Sequence, residues 1–315
     1  MPKRARFLLL AGLAIAVAGC AATGYQSESP TMPAAKAGLP PEYRIFYDAL
    51  EDYGDWTLIE PYGYVFRPRV SFVGWQPYQD GFWVPSDVWG WVWISSEPFG
   101  WATYHYGRWF FDRFEGWVWV PGLDWGPAWV DWQVAGSYAG WAPLGPRGSD
   151  FGAIPGGGYA YAPLGQLGST NLKAQTVKAE DIPQQVASAK PVVNLATRGG
   201  VTFNRGPRFD QVEHAAGAPL PRVKLDGVGP GAAKRGASAG AATMSIEEQI
   251  AATRRAAEDA ARQARAVAET GGPPPLRLSV VRPVFPTPTA SPAKASEGKA
   301  HLPGQGKATA PDTTR

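Results

Sequence analysis

The chain is 315 residues long and carries a formal net charge of +3, from 30 Lys+Arg against 27 Asp+Glu, with 14 Trp, 38 Gly, 31 Pro and one Cys. A single Cys excludes a disulfide framework and any zinc site built on several thiolates, and three His (His105, His214, His301) leave little for a metal cluster, so no cofactor or metal is expected. The length suits one or two domains, and the Gly and Pro load marks part of the chain as unpacked.

Lys3, Arg4 and Arg6 precede an apolar run from Phe7 to Ala18. That run is shorter than the roughly 20 residues needed to span a bilayer and suits a secretory signal peptide over residues 1–19. It ends in Val17-Ala18-Gly19-Cys20, which resembles the lipobox of bacterial lipoproteins. Cys20 is therefore the expected lipidation site, with the membrane reached through an N-terminal lipid. The alternative is an ordinary signal peptide that contains a Cys. Removing residues 1–19 leaves 27 Lys+Arg against 27 Asp+Glu, so the positive balance belongs to the export segment. Ala21, where an Asp would retain a lipoprotein at the inner membrane, resembles sorting to the outer membrane, with the body facing the periplasm. Residues 20–41, rich in Ser, Pro, Ala and Gly, read as a flexible tether.

Apolar residues at 43, 46, 47 and 50 predict a short helix over Pro41–Leu50. All 14 Trp lie between Trp56 and Trp141, where a repeat is visible. Trp75-x-x-Tyr78-x-x-Gly81-x-Trp83 recurs 26 residues on as Trp101-x-x-Tyr104-x-x-Gly107-x-Trp109, and Gly90-Trp-Val-Trp-Ile94 recurs as Gly116-Trp-Val-Trp-Val120. A worn copy upstream holds Gly54-Asp-Trp56 and Gly63-Tyr-Val-Phe66. Each unit has two short β-type runs joined by a turn, which predicts one hairpin per repeat. The fold class expected is mainly β, an antiparallel meander of Trp-rich hairpin repeats over residues 42–165. A propeller blade would need four strands and a period of roughly 40–45. In Trp91-Val-Trp-Ile94 alternation puts the two Trp on one face and Val92 and Ile94 on the other. Both faces are apolar, so either both are covered or an aromatic face is exposed.

Residues 171–226 predict a small mixed α/β module with β-type runs at Thr176-Val-Lys178 and Val192–Leu195. A helix over Phe209–Ala216 closes on Gly217. Residues 227–244 read as a Gly/Ala linker. Ser245-Ile-Glu-Glu248 is a capping-box pattern opening an Ala-rich helix to about residue 270, solvated and supported by the i,i+4 pairs Arg254–Glu258 and Glu258–Arg262. Residues 271–315, dominated by Pro, Ala, Thr and Lys, are expected to be disordered.

The runs Phe46–Leu50, Tyr53–Trp56, Trp101–Trp109, Gly116–Gly122, Trp125–Trp129 and Gly140–Leu144 together resemble the Trp-rich repeat proteins of Gram-negative envelopes, a domain family of unknown function. The likeness covers roughly residues 43–165 and, more weakly, Asn204–Val223. Thr103 stands where that pattern has Pro. The resemblance implies a secreted β-rich protein and brings no reaction, ligand or catalytic residue with it.

The best enzyme candidate is the cluster Tyr104, His105, Tyr106 and Arg108 with Asp112, Glu115, Asp124 and Asp131, since paired carboxylates beside aromatic platforms serve glycoside hydrolysis. Spacing assembles no nucleophile, base and oxyanion donors, and no G-x-S-x-G supports a Ser-His-Asp arrangement. A non-catalytic structural or protein-interaction role is the preferred expectation. The alternative is polysaccharide or peptidoglycan binding through exposed rings, for which Trp91, Trp93, Trp101, Tyr104, Tyr106, Trp109, Trp117 and Trp119 are the candidate stacking residues. Nucleic acid is excluded as a partner because few basic residues interleave with these aromatics. Charge is unevenly placed, with 7 Lys+Arg against 15 Asp+Glu over Cys20–Thr170 and 20 against 12 over Asn171–Arg315. The basic half therefore either reaches peptidoglycan, lipopolysaccharide or envelope proteins, or folds back on its own acidic half.

Overall fold

A computed structural model describes residues 32–70, 74–146, 158–226 and 245–281. The signal peptide, Cys20, the tether up to Thr31, the linker 227–244 and the expected disordered stretch after Val281 lie outside the described residues.

Each of the three Trp-rich repeat copies forms the antiparallel hairpin that its alternation requires, and a fourth hairpin follows them. The pairs are β1 (Gly54–Ile59) with β2 (Gly63–Pro68), β3 (Gly81–Ser86) with β4 (Gly90–Ser95), β5 (Arg108–Asp112) with β6 (Gly116–Val120), and β7 (Val130–Ala135) with β8 (Tyr138–Pro143). The first three turns close on a glycine at the same point of the repeat: Gly63, Gly90 and Gly116 have φ of 76°, 76° and 75°. The repeat thus encodes a turn as well as two strands, because that left-handed position suits a residue without Cβ. At Gly90 a Cβ would also lie 2.4 Å from the Arg205 carbonyl oxygen.

The hairpins do not succeed one another in one meander. The first and third share a sheet in the order β1-β2-β6-β5, joined where Phe66 pairs with Trp119. The fourth is extended by β9 (Ala160–Pro163) and β10 (Lys190–Pro191) into the order β10-β7-β8-β9. The second, β3–β4, is a two-stranded unit. Its composition gives the reason: a hairpin apolar on both faces needs cover on both. On one face Trp83 and Trp93, directly opposed across the strands, meet each other at 4.9 Å, and Trp83 meets Trp132 of β7 at 4.6 Å. On the other, Phe82 and Val92 are buried beneath the Ala-rich helix.

The helices are α1 (Ala34–Gly38), α2 (Arg44–Leu50), α3 (Gly100–Thr103), α4 (Pro183–Ala187), α5 (Phe209–Ala216) and α6 (Ile246–Thr270). Helix α2 supplies Phe46 to the aromatic core, where its ring lies 5.2 Å from that of Trp119. Helix α1 falls in the segment expected as tether, yet Leu39 is buried and Lys36 pairs with Asp48, so the body begins before residue 42. Helix α5 ends at Gly217 in the left-handed conformation, as its sequence requires.

Helix α6 opens on the predicted capping box, with the Ser245 hydroxyl accepting from the Glu248 N–H and the Glu248 carboxylate accepting from the Ser245 N–H. It is not the solvated rod that its i,i+4 charges suggest. Ala257, Ala261 and Ala264 are buried against the Trp body. Arg254 reaches instead to Glu51 at 2.8 Å and to Asp52, Glu258 accepts from the Tyr53 hydroxyl at 2.7 Å, and Arg262 pairs with Asp259. A stripe of small residues lets the helix backbone approach a wall of bulky rings, and that contact outweighs exposed helix pairs of about 0.2–0.5 kcal/mol each.

The stretch 171–226 shares this core: Leu172, Phe203, Val212 and Val223 belong to the same buried cluster as the Trp rings. Its hairpin, β11 (Leu195–Arg198) with β12 (Val201–Asn204), carries on into Arg205, whose carbonyl accepts from the Trp91 N–H at 3.0 Å. After α6 the chain remains ordered through β14 (Arg277–Ser279), which pairs in parallel with β13 (Lys224–Asp226), so the expected disorder from residue 271 does not hold for 271–281. Across the chain, Arg254 with Glu51 and Asp52, Arg222 with Asp87, and Lys173 with Asp80 join the basic half to the acidic half. The described part of the basic half thus folds back on its own acidic partner. No helix among the described residues is long and apolar enough to cross a membrane.

Candidate functional site

The eight candidate stacking rings are all buried, Trp101 being the most accessible at 8%. Several of their polar edges serve the fold as well. The indole N–H of Trp91 donates to the Pro207 carbonyl, that of Trp109 to Thr103 and that of Trp119 to Tyr106, at 2.7–2.9 Å. A sugar stacks on an open ring face, and these rings pack against other rings, with Trp93 and Trp101 also bordering a cavity beneath α6. Tyr78 and its repeat equivalent Tyr104 pack at 4.6 Å, and Trp75 meets Trp109 at 5.6 Å. The reason is geometric. Equivalent positions of successive repeats face one interior, so the same motif that suggests a surface ladder builds an aromatic core.

The acid–base cluster is largely dispersed, although Arg108 and Asp124 border one small recess. Asp112 accepts from the N–H groups of Phe114 and Glu115 in its own turn, Glu115 pairs with Arg67 at 2.8 Å, and Asp131 accepts from the Tyr159 hydroxyl. His105 stacks on Trp125 at 5.4 Å with Nδ1 2.9 Å from the Gly126 carbonyl, and burial pulls its pKa down to about 4. It is a neutral ring near pH 7, satisfied by backbone and distant in role from the carboxylates around it.

A residue that the sequence reading passed over is better placed. Glu97 accepts from the Trp75 indole N–H at 2.8 Å and from the Tyr104 hydroxyl, and burial pushes its carboxyl up to about 7 despite those donors. The repeat itself carries the signal, because the position 26 residues on is Leu123. An acid where the next copy has an aliphatic residue marks a departure from packing.

Glu97 lines a cavity of about 720 Å³ between α6 and the second hairpin. Val92, Ile94, Trp93 and Trp101 form one wall, Ala257, Ala261 and Val267 of α6 the other, and Leu278 and Val280 an end. Its size falls within the range of small-molecule sites, and its lining suits an apolar group. The small α6 residues leave this space: a helix seated on Ala approaches closely but fills little.

Glu97 and His105 give opposite pH dependences. Between about 4.5 and 7 the folded state holds a proton on Glu97 that the unfolded chain has released, so its contribution to stability falls as pH rises. Between about 4 and 6.5 the unfolded chain holds a proton on His105 that the folded state excludes, so that contribution rises with pH. The two oppose each other from about 4.5 to 6.5. Urea titrations across this range should show Glu97→Gln gaining stability with pH more steeply than the parent chain, whereas His105→Gln loses it. Parallel profiles for all three proteins would contradict these assignments.

Residues 47–148 match a family described as "Family of unknown function (DUF6600)". The match spans the Trp-rich hairpins from α2 to the end of β8, and it is a likeness over about a third of the chain. No curated protein and no solved structure matches the chain.

Proposed function

We propose that the protein is a non-catalytic lipoprotein of the Gram-negative cell envelope, held at the outer membrane through Cys20, facing the periplasm and acting through structural or protein contacts. The observation that carries this reading is the enclosure of the eight rings. Aromatic mass of that order, spent on one interior, makes a rigid body without disulfides in a compartment outside the cytoplasm. Three of the four acids that could have served hydrolysis, Asp112, Glu115 and Asp131, are occupied in a turn, an ion pair and a hydrogen bond, which supports a non-catalytic role. The polysaccharide alternative needs ring faces that this interior encloses. Basic residues of the C-terminal half that are not paired internally are the means of reaching peptidoglycan, lipopolysaccharide or envelope proteins, and the cavity under α6 offers an apolar foothold.

The test is metabolic labelling. The full chain with its own leader, expressed in a Gram-negative host with labelled palmitate, is expected to carry label in the outer-membrane fraction. Cys20→Ser is expected to lose the label. An unlabelled protein free in the periplasm would sink the anchoring proposal.

A further inference from the structure

Arg108 opens β5 and differs from the seven described arginines that form ion pairs. Arg67, Arg69, Arg208, Arg222, Arg254, Arg262 and Arg277 each pair with a carboxylate. Among the described residues Arg108 has no carboxylate within ion-pair distance. Its Nη1 donates to the Gly107 carbonyl at 2.6 Å, and among the described residues Nε and Nη2 meet no acceptor. The guanidinium lies over the Trp129 ring, with Cζ 3.6 Å from the ring centroid. Trp129 is itself fixed: its indole N–H donates to the His105 carbonyl and its backbone N–H to the Tyr78 hydroxyl, both at 3.0 Å. Gly107 fixes the other side, since a Cβ there would stand 2.0 Å from the Val120 carbonyl oxygen. The cation is therefore held still, partly stripped of water and left with an open donor fork, and burial lowers its pKa accordingly.

The fork borders a recess of about 200 Å³ walled by Val120, Pro121, Gly122, Leu123, Asp124 and Pro146. We propose that this recess binds the free carboxylate end of a peptide whose last residue is small and apolar, such as alanine. A planar monoanion matches a guanidinium fork through two parallel hydrogen bonds. Asp124 shares the recess, which disfavours a dianion such as phosphate and provides an acceptor for an N–H of the same peptide. The aliphatic and proline walls take a methyl-sized side chain, and the volume admits little more. The site is independent of lipid anchoring and stands or falls separately from it.

The experiment is a calorimetric titration of the full chain with Ala-Ala, with its C-terminal amide and with inorganic phosphate. Ala-Ala is expected to bind and the amide to bind at least about tenfold more weakly, with phosphate weaker than Ala-Ala. Arg108→Lys is expected to lose about tenfold or more, because an ammonium cannot offer the fork. Leu123→Trp, at an exposed wall position, is expected to block the recess without lowering the melting temperature. Equal binding of acid and amide, absence of binding by Ala-Ala, tighter binding of phosphate, or full retention in a folded Leu123→Trp would each overturn the proposal.

Discussion

Replacing Trp83 with alanine is expected to destabilise the protein by about 3–5 kcal/mol, the cost of emptying a large buried aromatic site. Trp83 has no accessible surface and stands at the meeting point of two hairpins. Its ring lies 4.9 Å from Trp93, 4.6 Å from Trp132, 5.9 Å from Trp141, and 6.1 Å from Tyr78 in parallel stacking. None of these neighbours can collapse into the space without leaving its own partners, so the cavity persists and the cost stays high. Among the described residues the Trp83 indole N–H has no hydrogen-bond partner, so Trp83→Phe sacrifices volume alone and should cost about 1–2 kcal/mol. Urea denaturation followed by far-UV circular dichroism separates the two. Equal and small losses would mean that the second hairpin is not seated on the fourth.

Tyr78→Phe is expected to cost about 2–4 kcal/mol although it removes a single oxygen. The Tyr78 hydroxyl donates to the Tyr104 carbonyl at 2.9 Å and accepts from the Trp129 N–H at 3.0 Å, both in the interior. Phenylalanine leaves two buried backbone groups unpaired, and each such group carries a penalty of about 1–3 kcal/mol. The same residue accepts the Trp141 indole N–H on its carbonyl at 2.9 Å, with φ at 64°, an uncommon setting for a side chain of this bulk. Tyr78 thus ties together the chain before the second hairpin, the turn after it, and the fourth hairpin. The substitution is expected to lower the urea midpoint with an unchanged slope. A midpoint equal to that of the parent chain would contradict the hydroxyl's bridging role.

The hairpins were legible because period 2 and the recurring glycines are local properties: Gly63, Gly90 and Gly116 mark three turns in the sequence and close three turns in the fold. The capping box at Ser245 and the stop at Gly217 were legible for the same reason. What local pattern cannot carry is which hairpin pairs with which. The β2–β6 join rests on the single Phe66–Trp119 pair, between residues far apart in the chain. Nor could the charges of α6 reveal their partners, because Arg254 meets Glu51 and Asp52 across some two hundred residues. The candidate stacking rings were legible as residues but their burial was not, since alternation says that a face is aromatic and not what covers it. Arg108 stood in the acid–base cluster as one charge among several. Its lack of an ion-pair partner among the described residues, and its bed on Trp129, are properties of the assembled chain.

In the proposed reading the aromatic residues form an enclosed scaffold rather than a recognition face. Intrinsic Trp fluorescence of the purified chain, quenched with acrylamide in the presence and absence of a glycan panel, tests it most directly. The prediction is blue emission that acrylamide scarcely reaches and that no glycan moves. Red-shifted emission, readily quenched and protected by one sugar, would contradict it.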